Sequence, residues 1–203
     1  GLGINAHELD STIYDLLVAS RPDIRTVIHE TTVEGLDIVP ANIDLSAAEV
    51  QLVNEVAREQ ALKRVLRPVL DEYDVILVDC QPSLGLLTIN ALTASHGVII
   101  PLETEFFALR GVALLVETVE RVKDRLNATL EIDGILATMV DSRTLHSREV
   151  LERLEQAFGE QLFDTRIRRT IKFPDASVAN EPITSYAPSH PGADAYRRLP
   201  REV

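Results

Sequence analysis

An acidic side chain directly follows a short apolar run that is typical of a buried strand. Val75–Val78 are four consecutive branched aliphatic residues, and Asp79 comes next. In a parallel sheet this carboxylate would lie at the carboxyl edge, where open α/β folds bind their ligands. There it could hold Mg²⁺ directly or through a water molecule. An acid that only ends a strand is the equal alternative for the run taken alone.

A second group of residues concentrates positive charge. The 203-residue chain carries a net charge of -12, which argues against a surface that attracts nucleic acid broadly. From Gln161 to Lys172, however, four basic residues stand against one acid, Asp164. The four are Arg166, Arg168, Arg169 and Lys172. Because salt screens charges beyond about 8–10 Å, a local patch remains compatible with an acidic chain.

Composition and length predict one soluble globular domain. Hydrophobic residues make up 45% of the chain and charged residues 26%. No apolar run approaches the roughly 20 residues that a membrane span requires. Cys80 is the only cysteine, which excludes an internal disulfide and fits a reducing cytosol. We expect Cys80 to be a small buried residue.

Apolar runs alternate with amphipathic stretches along the chain. Ser46 is predicted to cap a helix, with Glu49 completing a capping box, and Phe173–Pro191 is predicted to be a loop. The predicted strands are Leu36–Pro40, Val75–Val78, Val98–Pro101, Ile132–Val140 and Leu162–Ile167. The predicted helices cover Val53–Val69, Leu86–Ala94, Val112–Val122, Val150–Phe158 and Ala193–Leu199. This order predicts an α/β fold, a doubly wound and mostly parallel sheet with helices on both faces.

Long stretches of the sequence resemble one protein family. Tyr73–Leu92, YDVILVDCQPSLGLLTINAL, closely resembles the Walker B region of the ParA/Soj partition ATPases. Gln81 replaces a proline that is usual there, and Pro82 remains. The resemblance continues through Pro40–Leu52, Pro101–Leu115, Ala137–Val150 and Ile167–Leu199. It implies one ParA-like domain over residues 1–203 with a P-loop NTPase-like fold.

The resemblance also implies cofactors and a site. ATP and Mg²⁺ are the expected cofactors, and Asp79 is expected to be the catalytic and metal-binding carboxylate. Pro82, Asp141, Pro174 and Asp175 are expected to border the nucleotide, although Asp141 could equally be an acid of a surface loop. Arg166, Arg168, Arg169 and Lys172 are expected to bind DNA, with a solvated strand edge as the alternative.

The same resemblance implies partners and a location. An ATP-bound homodimer would bind DNA non-specifically in the cytoplasm, on the nucleoid. A ParB-like centromere-binding protein would stimulate ATP hydrolysis and release the dimer. No membrane partner is expected.

The family's phosphate loop, KGGxGKT, is not found in these 203 residues. Lys63, Lys123 and Lys172 are the only lysines, and none follows a glycine. Glycines let backbone N–H groups approach phosphates, and the lysine neutralises their charge. We therefore expect a chain that lacks the first strand, the P-loop and the first helix. Alone it should be inactive as an ATPase and poorly soluble or molten, with open strand edges.

Two other functions are compatible with the sequence. A MinD-like membrane-surface ATPase would need a basic amphipathic helix at the C-terminus. Here Pro200 interrupts the final helix, which has little apolar surface. A nucleotide-free interaction scaffold is the other alternative, and its support is the missing phosphate loop.

Overall fold

The computed structural model describes residues 4–5, 8–104, 108–141 and 143–203. The chain divides into two compact units. We call Leu2–His96 with Arg121–Leu130 the helical unit, and Gly97–Glu120 with Glu131–Val203 the sheet unit. No helix among the described residues is long and apolar enough to cross a membrane. The assignment of residues 1–203 to one domain stays a prediction.

Helices form most of the helical unit. They are α1 (Ile13–Val18), α2 (Leu45–Gln51), α3 (Ala61–Leu66) and α4 (Leu86–Ala94). Short 3₁₀ turns cover Ile24–Thr26, Leu52–Asn54, Arg58–Gln60 and Arg67–Glu72. Strands β1 (His29–Glu30) and β2 (Asp37–Ile38) pair in antiparallel fashion. The apolar core includes Leu17, Ile24, Val27, Leu52, Val65 and Val69.

Two predictions for the helical unit need correction. Helix α2 begins at Leu45, so Ser46 lies inside it, and its hydroxyl donates to the Ile43 carbonyl at 2.9 Å. The capping box is therefore wrong. The predicted helix Val53–Val69 is interrupted, because Ala57 adopts a left-handed conformation with φ 56° between two 3₁₀ turns. By contrast, α4 has the bounds that its sequence predicts.

Parallel strands organise the sheet unit, as predicted. Strand β3 (Gly97–Glu103) pairs with β4 (Glu131–Thr138), from Gly97 opposite Glu131 to Glu103 opposite Thr138. Residues of a later segment form parallel bridges to β4 and to the residues just after it, Leu162 with Ile135 and Arg168 with Val140. Helix α5 (Ala108–Arg125) begins in this unit, which also contains α6 (Leu145–Phe158), α7 (Lys172–Val178), α8 (Ile183–Tyr186) and α9 (Pro191–Arg198). These elements confirm the α/β class.

The predicted loop Phe173–Pro191 is wrong, because all of α7 except its first residue, and the whole of α8, lie within it. Its prolines are compatible with helices, since Pro174 stands in the first turn of α7 and Pro182 precedes α8. First-turn N–H groups have no partner within the helix, so a proline there removes no helical hydrogen bond.

Candidate functional site

The ends of β3 and β4 meet the start of α6 in a hydrogen-bonded cluster. The Thr104 and Ser147 hydroxyls, both buried, lie 2.9 Å apart. The backbone N–H of Asp141 donates to Ser147 Oγ at 3.3 Å. The Thr144 hydroxyl accepts from the Ser147 N–H and thereby caps α6. This network fixes Asp141 at the carboxyl edge of the parallel strands, where ligands of α/β folds bind.

The carboxylate of Asp141 is already occupied by a neighbouring arginine. Arg143 donates from Nε to Oδ1 at 2.9 Å and from Nη2 to Oδ2 at 2.8 Å. These bonds, with the positive charge of Arg169 nearby, lower the pKa of Asp141 to about 2. The carboxylate is therefore ionised at neutral pH. A ligand that binds through Asp141 has to share it with Arg143.

The segment around Asp79 differs from its sequence prediction. Val75–Val78 do not form a strand, and Val75 and Leu77 are 71% and 85% exposed. A strand requires a hydrogen-bonded neighbour, and no other described segment pairs with this run. Cys80 is exposed as well, contrary to our expectation.

Asp79 itself is exposed and has no hydrogen bond or ion pair with any described residue. Among those residues, no group of three or more His, Cys, Asp or Glu side chains could hold a metal ion. Mg²⁺ commonly uses one or two carboxylates together with water and substrate phosphates. An exposed single carboxylate fits that mode of binding, so Asp79 would supply one ligand and the nucleotide and water the rest.

Sequence reasoning missed the role of Glu49 beside this segment. Glu49 Oε1 accepts from Gln81 Nε2 at 3.1 Å and from the Leu87 N–H at 3.4 Å. A carboxylate is favourable at a helix N-terminus, because the first N–H groups of α4 have no partner in the helix. Glu49 therefore ties α2 to the chain that follows Asp79. Sequence spacing gives no signal for this contact, since the partners are more than 30 residues apart.

The four basic residues differ in their exposure to solvent. Arg166 donates to Glu155 Oε1 at 3.0 Å and to the Phe163 carbonyl. Lys172 contacts Asp175 at 3.3 Å and lies 5.8 Å from the centre of the Tyr186 ring. Arg168 and Arg169 are exposed. The outward positive charge of this segment is thus concentrated at Arg168 and Arg169.

The candidate residues are distributed over both units. Asp79 and Pro82 belong to the helical unit, and Pro82 is exposed. Asp141, Pro174, Asp175 and the four basic residues belong to the sheet unit. Pro174 and Asp175 lie in the first turn of α7, not in a loop as predicted. Their role toward a nucleotide stays a prediction.

Comparison with known proteins identifies relatives along the whole chain. A family model described as an AAA domain matches residues 1–132. An uncharacterized protein of Mycobacterium tuberculosis is 59% identical over 203 residues, and the chain spans 64% of its length. The chromosome-partitioning ATPase Soj of Treponema pallidum is 47% identical over 192 residues, which are 95% of this chain and 76% of that protein.

A solved structure agrees with the fold. It is a cobyrinic acid a,c-diamide synthase from Mycobacterium smegmatis with a bound ATP analogue and magnesium. The sequence identity is 36% and the TM-score 0.81, with 97% of this chain and 72% of that chain covered. The chain therefore has the fold of a protein that binds a nucleotide together with magnesium.

Proposed function

This chain belongs to the Soj/ParA family of chromosome-partitioning ATPases, and we propose from that premise that it forms part of an ATP-dependent DNA-partition switch. In this proposal, an ATP-bound homodimer binds DNA without sequence preference. A ParB-like protein triggers hydrolysis and release, and the switch works in the cytoplasm on the nucleoid. The observation that carries the proposal is the 47% identity to a chromosome-partitioning ATPase over 95% of the chain.

The role of Asp79 rests on its exposure. Because no described side chain neutralises it, its carboxylate is available to Mg²⁺ or to a water molecule in the metal's coordination sphere. When bound, Mg²⁺ neutralises charge on the nucleotide phosphates. Asp79 would hold the ion beside these phosphates. Pro82 and Asp141 would border the nucleotide, together with Pro174 and Asp175.

The DNA contact is assigned chiefly to Arg168 and Arg169. Both are exposed, whereas Arg166 and Lys172 are only partly exposed. Phosphate contacts release counterions, so the affinity should fall steeply with salt and show no sequence preference. Arg166 and Lys172 would contribute mainly by supporting the local positive potential.

Mg·ATP binding to the intact protein, measured by calorimetry, tests the proposal. We expect Asp79→Asn to weaken Mg²⁺-dependent ATP binding by about tenfold or more, as the loss of a charged ligand predicts. Asp74→Asn is the matched control, because Asp74 is an exposed acid of the same segment. Equal binding by the Asp79 variant and the wild type would refute the assigned role.

DNA binding has a separate test. The double variant Arg168→Gln/Arg169→Gln should reduce the slope of log affinity against log salt by roughly 1–2, because about 0.9 counterion is released per phosphate contact. Arg201→Gln removes an exposed charge elsewhere in the sheet unit and serves as the control. A slope that both variants leave unchanged would exclude this surface.

A further inference from the structure

An open groove on the helical unit carries positive charge that the proposed function does not use. Its volume is about 450 Å³, and we call it the basic groove. It is lined by Ala57, Gln60, Lys63, Arg64 and Arg67. None of these residues is among those assigned above to nucleotide, metal or DNA.

Helix geometry explains why the basic side chains lie together. The 3₁₀ turn Arg58–Gln60 runs directly into α3. Counted from Gln60, the other three polar residues of the groove follow at three, four and seven positions, so all four lie on one face of this helical segment. The three are Lys63, Arg64 and Arg67. The opposite face is buried in the core and consists of Ala61, Leu62, Val65, Leu66 and Val69. The left-handed Ala57 turns the chain back, and its carbonyl accepts from the Gln60 N–H at 2.9 Å.

The charge of the basic groove is not neutralised within the described part of the chain. Lys63, Arg64 and Arg67 are exposed and have no ion pair there. The acids that precede and follow them are engaged elsewhere, Glu59 with Arg58 at 2.9 Å and Glu72 with Arg25. Asp71, one turn after Arg67, does not pair with it. Three cations therefore converge in a chain whose net charge is -12.

A buried asparagine holds this surface in place. The Asn90 side chain, 1% exposed, donates to the Arg58 carbonyl at 2.8 Å and accepts from the Leu62 N–H at 3.1 Å. It thereby fixes the turn that leads into α3 against α4. A ligand would meet cations whose backbone is already positioned, which lowers the entropic cost of binding.

We propose that the basic groove binds a small anion with two or more phosphate groups. Guanidinium groups match phosphate oxygens in bidentate geometry, and Lys63 adds a compact charge. The volume of the groove lies within the range of small-molecule sites. No aromatic side chain lines it, so it offers a nucleobase no aromatic stacking surface.

Tripolyphosphate is the probe, titrated calorimetrically into the intact protein at low salt. No nucleotide is added, because ADP is itself a diphosphate and would compete for the groove. Tripolyphosphate bound at the nucleotide site is common to the wild type and both variants, so the difference between them reports the groove. We expect Lys63→Gln/Arg64→Gln/Arg67→Gln to weaken binding by at least about tenfold, since charge-assisted hydrogen bonds are lost. Arg21→Gln/Arg125→Gln/Arg201→Gln removes the same charge at exposed positions and should bind like the wild type. Thermal unfolding checks that both variants are folded.

Further outcomes decide the assignment. Unchanged affinity in the groove variant, or no binding by the wild type, would overturn it. Citrate that binds as tightly through the same residues would overturn phosphate as the ligand chemistry. Duplex DNA that displaces tripolyphosphate and binds more tightly, again through these residues, would overturn the small anion in favour of a nucleic-acid contact. Weak binding of citrate and DNA supports the proposal.

Discussion

Glu49 packs so closely against Gly85 that a β-carbon at position 85 would lie 2.1 Å from Glu49 Oε1. Gly85 is the N-cap residue of α4, whose N–H group at Leu87 donates to the same oxygen. The absence of a side chain at position 85 therefore lets an acid from α2 reach the start of α4. The contact lies immediately after the segment that contains Asp79.

Gly85→Ala should displace the Glu49 carboxylate from the start of α4. The expected loss of stability is about 1 kcal/mol, similar to the loss of a helix cap, because a flexible side chain can move aside. Urea unfolding measures it. In a Glu49→Ala background the cost of Gly85→Ala should become smaller, since the two changes remove the same contact. Strictly additive costs would contradict the relationship.

Gly134→Ala, in the sheet unit, should lower the free energy of unfolding by more than Gly85→Ala does. A β-carbon there would lie 2.4–2.8 Å from three ring atoms of Phe163, whose side chain is buried. Overpacking of this kind costs about 1–3 kcal/mol. Gly111→Ala in α5 is the matched control, because its β-carbon would meet no atom within 4 Å. Thermal unfolding should show a lower midpoint only for the Gly134 variant. Adding Phe163→Leu to Gly134→Ala should recover part of the lost midpoint temperature, because the smaller side chain relieves the clash.

Asn90→Ala should lower the free energy of unfolding by about 2–4 kcal/mol, because the Leu62 N–H and the Arg58 carbonyl both lose a buried partner. Thr93→Val is the control. Thr93 is also buried in α4, but its hydroxyl donates only to the Ile89 carbonyl of the same helix. Denaturant titration of both variants compares the two costs. Equal costs would show that Asn90 does not hold the turn before α3.

The ionisation of Asp141 can be followed by NMR of its side-chain carboxyl carbon. Its pKa of about 2 lies below the ordinary 3.8, so its ion pair stabilises the folded state fully above pH 3.8. That contribution is lost as the pH falls through 2. Arg143→Gln should raise the pKa toward the ordinary value, and Arg143→Lys should have a smaller effect. A wild-type midpoint near 4 would contradict the pairing with Arg143.

The sequence predicts elements well where one local pattern decides them. The apolar residues of α4 and the apolar runs of β3 and β4 give nearly the observed bounds. It fails where proline suggests a loop, as at Pro174, because position within the first turn matters more than proline itself. It also fails at Val75–Val78, because a strand depends on a neighbour that local sequence does not specify.

The candidate site, too, is predicted from the sequence only where a local pattern decides it. The exposed positions of Arg168 and Arg169 agree with a basic segment read from the sequence. The pairing of Asp141 with Arg143 was not predicted, although the two residues are only two positions apart. A loop lacks the repeating geometry of a helix or strand, so its sequence does not predict which way a side chain points. The contact of Glu49 with Gln81 and Gly85 required the fold, since it joins two helices that are distant in sequence.

The exposed run from Val75 to Val78 has a consequence for what it can pair with. No backbone N–H group from Val75 to Cys80 donates to a described residue. In general, an extended peptide can pair with free backbone groups of this kind and cover apolar side chains in one step. This run therefore meets both physical requirements for accepting a further strand, backbone N–H groups that no described residue binds and exposed apolar side chains.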